Sequence, residues 1–146
     1  MKKLFACVVV FSLSVLLAVA QDEKKAAPKI EGSWTQTGGI IQGEKLPAEI
    51  FDELKTVLTF KDGKYSQTDG GNPSEAGTYK VDATKKPATI DFVVEEGEEK
   101  GMLQLAIFKI EGETMTLALA KHGSNDRPKN FDGENNTWVM VLKRNK

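Results

Sequence analysis

The feature that most restricts how this chain can fold is the regular spacing of its turn-forming residues. Asp62-Gly63, DGGNPS (69–74), TKKP (84–87), EEGEEKG (95–101), Glu111-Gly112-Glu113 and HGSNDRPKNFDGENN (122–136) interrupt it at short intervals. Gly, Asn, Asp and Pro each favour chain reversal for their own steric reason. Between the interruptions stand VLTF, KYSQT, GTYKV, TIDFVV, LQLAIFKI, TMTLALA and TWVMVL, with GSWTQT ahead of them, and most alternate with period two. That alternation puts successive side chains on opposite faces of an extended strand. The prediction is an all-β chain of about eight antiparallel strands, joined mostly by hairpins. A meander of that size removes its exposed edges by closing into a barrel. An immunoglobulin-like sandwich is the other architecture, but the Cys…Trp…Cys spacing that marks it is missing.

One stretch departs from this pattern. LPAEIFDELKTV (46–57) has Pro47 at a first helical position, acids early, Lys55 late, and Ile50 and Leu54 one turn apart. It predicts a short helix after the first strand, its apolar side over one barrel end, as a plug or as a ligand-gating lid.

The alternation also selects an inward face. Trp138, Met140, Leu142 and Arg144 share one side of the last strand, Met115, Leu117 and Leu119 one side of the strand before it, and Ile90, Phe92 and Val94 another. The candidate interior lining is therefore Phe60, Tyr79, Phe92, Phe108, Leu117, Leu119, Trp138 and Met140. LQLAIFKI does not resolve, because Leu103, Leu105 and Ile107 lie opposite Phe108 and Ile110; a bulge or cover on both faces would account for it.

The N-terminus reads as an address. Lys2 and Lys3 precede an apolar run ending in Ala18-Val19-Ala20, a small-x-small cleavage site, and polar QDEKK follows. Residues 1–20 are expected to be a secretory signal peptide cleaved after Ala20, leaving no stable membrane insertion and a secreted or periplasmic product. Cys7 has its apolar run after it rather than before it, which argues against a lipid anchor. Residues 21–29 read as a flexible tether and 30–146 as the domain. Beyond residue 20 there is no cysteine, so one hydrophobic core must supply the stability.

Charge and motif spacing exclude several functions. Without Lys2 and Lys3, 18 basic side chains face 21 acidic ones, a formal balance of −3 with no basic run. That argues against nucleic acid as a partner. With one histidine, no tightly bound zinc or copper is expected, and Gly38-Gly39 and Gly70-Gly71 lack the spacing of a phosphate loop. No cofactor is implied. His122, Ser124 and Asp126 have the letters of a catalytic triad, but a working triad is assembled from distant segments. Consecutive turn residues are expected to splay these side chains into water, and no enzymatic activity is expected. Arg127-Pro128 with Phe131 reads instead as an anchor folding the last loop onto the barrel.

Gly32-Ser33-Trp34 on the first strand, with Lys143-Arg144 on the last, resembles the Gly-x-Trp and arginine pair of lipocalins. The resemblance implies a structural closure in which Arg144 lies across the Trp34 ring. The ordered set of Gly32-x-Trp34, GEKLP, LTFKDGKY, AGTYKVD, KKPATID, IFKIEGETMTL, RPKNF and VLKR is similar to a lipocalin-like domain family of uncharacterised exported planctomycete proteins. It implies the barrel fold but carries over no activity. Two function classes stay open for a monomer of this kind. One is a module binding a small apolar molecule in the barrel; the other is a protein-interaction or inhibitor barrel with a filled core. Runs of mostly five to eight residues favour a filled interior.

Overall fold

A computed structural model describes residues 28–146; the expected signal segment 1–20, Cys7 and tether residues 21–27 lie outside the described residues. The elements are β1 (Gly32–Ile41), β2 (Glu44–Lys45), α1 (Ala48–Leu54), β3 (Val57–Lys61), β4 (Lys64–Asp69), β5 (Asn72–Asp82), β6 (Ala88–Glu96), β7 (Leu103–Glu111), β8 (Thr114–Leu119) and β9 (Trp138–Arg144). Strands β1 and β3 to β9 pair antiparallel in chain order, and β9 returns to pair with β1. The result is a closed eight-stranded barrel, with β2 folded back on the end of β1 as an extra strand.

Closure gives the barrel two different ends. Trp34 stands opposite Arg144 at one, and Ile41 opposite Trp138 at the other. At the first, the Arg144 guanidinium carbon lies 4.1 Å from the Trp34 ring centroid. Its Nη1 and Nη2 donate to the carbonyls of Glu31 and Lys29 at 2.7 and 2.6 Å, and the indole Nε1 donates to Ile30 O at 2.8 Å. An inward-pointing charge at the end of an apolar row is thereby fully engaged, and this end is shut.

The inward rows fill the lower and middle barrel. Phe60 meets Tyr79 edge-on at 5.2 Å between centroids, and Tyr65 meets Phe92 edge-on at 4.8 Å. Ile90, Phe108, Met115, Leu117 and Leu142 complete this cluster, all buried. Strands β1, β5, β6 and β7 run to 10, 11, 9 and 9 residues, longer than the sequence runs indicated. Ring volume rather than strand length fills the interior. Close packing also forces Gly77 in β5, where a Cβ would stand 1.9 Å from the Val93 carbonyl oxygen at a shift in the β5–β6 register.

The unresolved strand is covered on both faces and has no bulge, since β7 keeps a regular register with β6 and β8. Ala106 and Phe108 point inward, while Ile107 joins Ala118 and Val139 in a second buried cluster packed under Phe131. Phe131 belongs to the segment after β8, which lies on the outer wall. Pro128 is buried, and Arg127 donates from Nη1 to Ala106 O at 2.8 Å and pairs through Nη2 with Asp91 at 2.6 Å.

The helix corrects the predicted face. Phe51 is its buried residue, whereas Ile50 and Leu54 are 38% and 45% exposed. The reason lies in packing against β1: Gly39 has no Cβ, and one placed there would meet the Phe51 ring at 3.0 Å, so the ring occupies that hollow. Pro47 stands at the N-cap, one position ahead of the first turn, and Lys55 ends the helix in the left-handed conformation.

Candidate functional site

At the end opposite Trp34, the inward rows change character. Each inward alternation continues past its apolar residues into a polar one: Trp34 to Gln36, Leu58 to Thr56, Tyr65 to Gln67 and Asp69, Tyr79 past Gly77 to Glu75, and Ala106 to Gln104. Strand pairing brings these positions to one rim. They enclose a cavity of about 270 Å³ whose apolar surface comes from Leu54, Leu119, Trp138 and Met140, with His122 beside them. This is the open mouth of the barrel.

Two carboxylates organise it. Glu75 Oε1 accepts a hydrogen bond from the Tyr65 hydroxyl at 2.7 Å, and its Oε2 lies 3.3 Å from His122 Nε2. That second contact is not aligned as a hydrogen bond, and the imidazole nitrogen is buried without a hydrogen-bond partner. Burial, then the bond to Glu75, hold the Tyr65 phenol far above its ordinary range. Asp69 accepts from Thr56 Oγ1 at 2.6 Å, with the Gln67 amide at 3.4 to 3.5 Å. Gln36, only 3% exposed, donates from Nε2 to Gly38 O, and Gln104 donates to Ala120 O at 2.9 Å.

The expected interior lining divides between this cavity and the core. Leu119, Met140 and Trp138 line the mouth. Phe60, Phe92, Phe108 and Leu117 are packed against neighbouring side chains in the barrel interior, and Tyr79 is half-buried against Phe60; none of these five lines the mouth cavity. Trp138 is a rim residue, 47% exposed, because it opens β9 at the lip.

His122 also departs from its expected place. It is half-buried against Glu75, 47 residues earlier in the chain, rather than splayed into water. Ser124 and Asp126 do not join it: Ser124 Oγ accepts the Asp126 backbone N–H at 3.1 Å in a local turn. Gln36, Thr56, Gln67, Asp69, Glu75 and Gln104 were missed as site residues. For Gln36, Gln67, Asp69 and Glu75 the signal was present, since each is in phase with the inward apolar row of its own strand; Thr56 stands just ahead of β3, and Gln104 is on the strand whose alternation does not resolve.

Among the described residues no helix is long and apolar enough to cross a membrane. No protein-family model matches the chain, and no curated protein matches it.

Proposed function

We propose that this chain is an exported, non-catalytic binding module of lipocalin-like type, and that it holds one small molecule in the barrel mouth. The observation that carries this reading is the mouth cavity, with its apolar surface from Leu119, Met140 and Trp138 and its polar groups converging from Gln36, Asp69, Glu75 and Gln104. Concave sites that combine an apolar wall with a few placed polar groups are how proteins orient small ligands. The packed rings beneath exclude a deeper chamber, so the ligand is small and seated near the rim. Export rests on the Ala18-Val19-Ala20 site, and the lipocalin likeness on Gly32-x-Trp34 with Arg144 at the closed end.

The filled interior favours a second reading, a protein-interaction or inhibitor barrel acting through its surface. Native mass spectrometry of protein purified from its own host separates the two. A co-purifying small-molecule mass that the Trp138→Ala variant loses supports the mouth as a ligand site; a stoichiometric protein partner and a bare barrel support the second reading.

A further inference from the structure

The polar groups of the mouth have a one-sided chemistry. Among the described residues no lysine or arginine lines the cavity; Lys121 lines an adjoining groove that shares Gln104, Leu119, His122 and Trp138 with it. Among the described residues Asp69 has no cationic side chain within ion-pair distance, and Glu75 has only His122. A carboxylate offers about four acceptor positions, so the Thr56 hydroxyl and the long Gln67 amide contacts on Asp69, and the Tyr65 hydroxyl on Glu75, leave both with acceptor positions open.

The amides add to the same bias. Gln36, Gln67 and Gln104 all turn their nitrogens to protein acceptors, and no donor among the described residues reaches any of the three Oε1 atoms. Gln36 is 97% covered at the side of a cavity that it lines, and its Oε1 is not a fully enclosed atom, so it stays open to a donor placed in the cavity. The buried His122 Nε2 is turned to Glu75 and has no surface to offer. The Trp138 indole N–H, at the solvent-facing rim, has no acceptor within the described residues, and its ring is the aromatic surface nearest the opening.

We propose that the mouth selects a protonated amine carried on a short apolar or aromatic body. This rests on the reading of the mouth as a ligand site. The ammonium supplies only donors, which matches the uncovered oxygens of Asp69, Glu75 and Gln36. The body takes the apolar surface formed by Leu119, Met140 and the face of Trp138, where a cation over the indole gains further attraction. A carboxylate ligand would meet two like charges without a compensating base, and a neutral alcohol would satisfy one acceptor and leave the charge unanswered.

Three probes of one shape test this: phenethylamine, phenethyl alcohol and hydrocinnamate, titrated at neutral pH into the purified protein while two-dimensional NMR follows the Trp138 indole and the Gln36 side-chain amide. Phenethylamine is expected to move these resonances with an affinity roughly tenfold or more above the other two, the range expected of a hydrogen bond to a charged group. Asp69→Asn should remove roughly tenfold of that affinity and leave the alcohol unchanged. Glu75→Gln should do the same while its spectrum stays folded; if it unfolds through loss of the Tyr65 contact, Asp69→Asn alone decides. Equal binding of the alcohol and the amine at these resonances overturns the amine assignment and leaves the ligand site standing. If no probe moves them, the site itself falls and the assignment with it.

Discussion

Arg144 stacks its guanidinium on Trp34, two residues placed directly opposite each other where the last strand meets the first, 4.1 Å from guanidinium carbon to ring centroid. The same group donates to two backbone carbonyls, so it closes the barrel and ties the segment ahead of β1 across that end. An ammonium cannot reproduce a planar stack with two directed N–H donors. Arg144→Lys is expected to lower unfolding stability by about 1 to 3 kcal/mol, measured by urea denaturation. A loss below about 0.5 kcal/mol would place closure elsewhere.

Gly77 tests the packing of the β5–β6 register. A methyl group there would stand 1.9 Å from the Val93 carbonyl oxygen, a backbone atom that cannot rotate away. Gly77→Ala is expected to cost about 3 kcal/mol or more, or to prevent folding, and circular dichroism melts would show it.

The division between core and mouth separates two aromatic substitutions. Phe92→Ala removes a fully enclosed ring and is expected to cost about 3 to 5 kcal/mol. Trp138→Ala trims a half-exposed rim residue and should cost under about 1.5 kcal/mol while weakening any mouth ligand. Equal stability losses in denaturant titrations would contradict the assignment of Trp138 to the rim.

The two tyrosines of the chain give a pH test. Both phenols are held above their ordinary value, chiefly by burial. A raised folded value means the folded state holds its proton more tightly, so the stabilisation is complete below about pH 10 and is lost as pH rises above it. Ultraviolet titration should show little tyrosinate until the protein unfolds. In Tyr65→Phe the loss of stability above about pH 10 should be smaller than in the native chain. Tyrosinate formation near pH 10 by both tyrosines in folded protein would refute the burial of Tyr65 against Glu75.

Along the last loop, two neighbours should behave differently. Arg127 bonds the β7 backbone at Ala106 and pairs with Asp91 on β6, whereas Asp126 is exposed. Arg127→Ala is expected to cost about 1.5 to 3 kcal/mol and Asp126→Ala under about 0.5, by chemical denaturation. Comparable effects would show that the loop is not anchored through the guanidinium.

Much of this architecture could be read without coordinates, because what sets it is local. Period-two alternation, with Asp62-Gly63 and Glu111-Gly112 at the turns, specifies strands and hairpins residue by residue, and a meander of that number closes on itself. The pairing of Trp34 with Arg144 followed from that closure. Ile107 could not be assigned from its own strand, since its cover, Phe131, is 24 residues away in sequence. The helix misled for the same reason: Ile50 and Leu54 have the right spacing, but the hollow at Gly39 receives Phe51.

What the sequence determined by itself was therefore the strands, the turns and the inward rows. The tertiary structure alone decided how far up the barrel those rows are packed shut and which polar groups meet at the rim. Tyr65 and Glu75 meet across the β4–β5 hairpin, whereas His122 comes from the segment after β8, and no spacing along the chain relates it to them. Only the curled barrel brings it to the same mouth, because the depth of a side chain in a barrel depends on the register of all eight strands together.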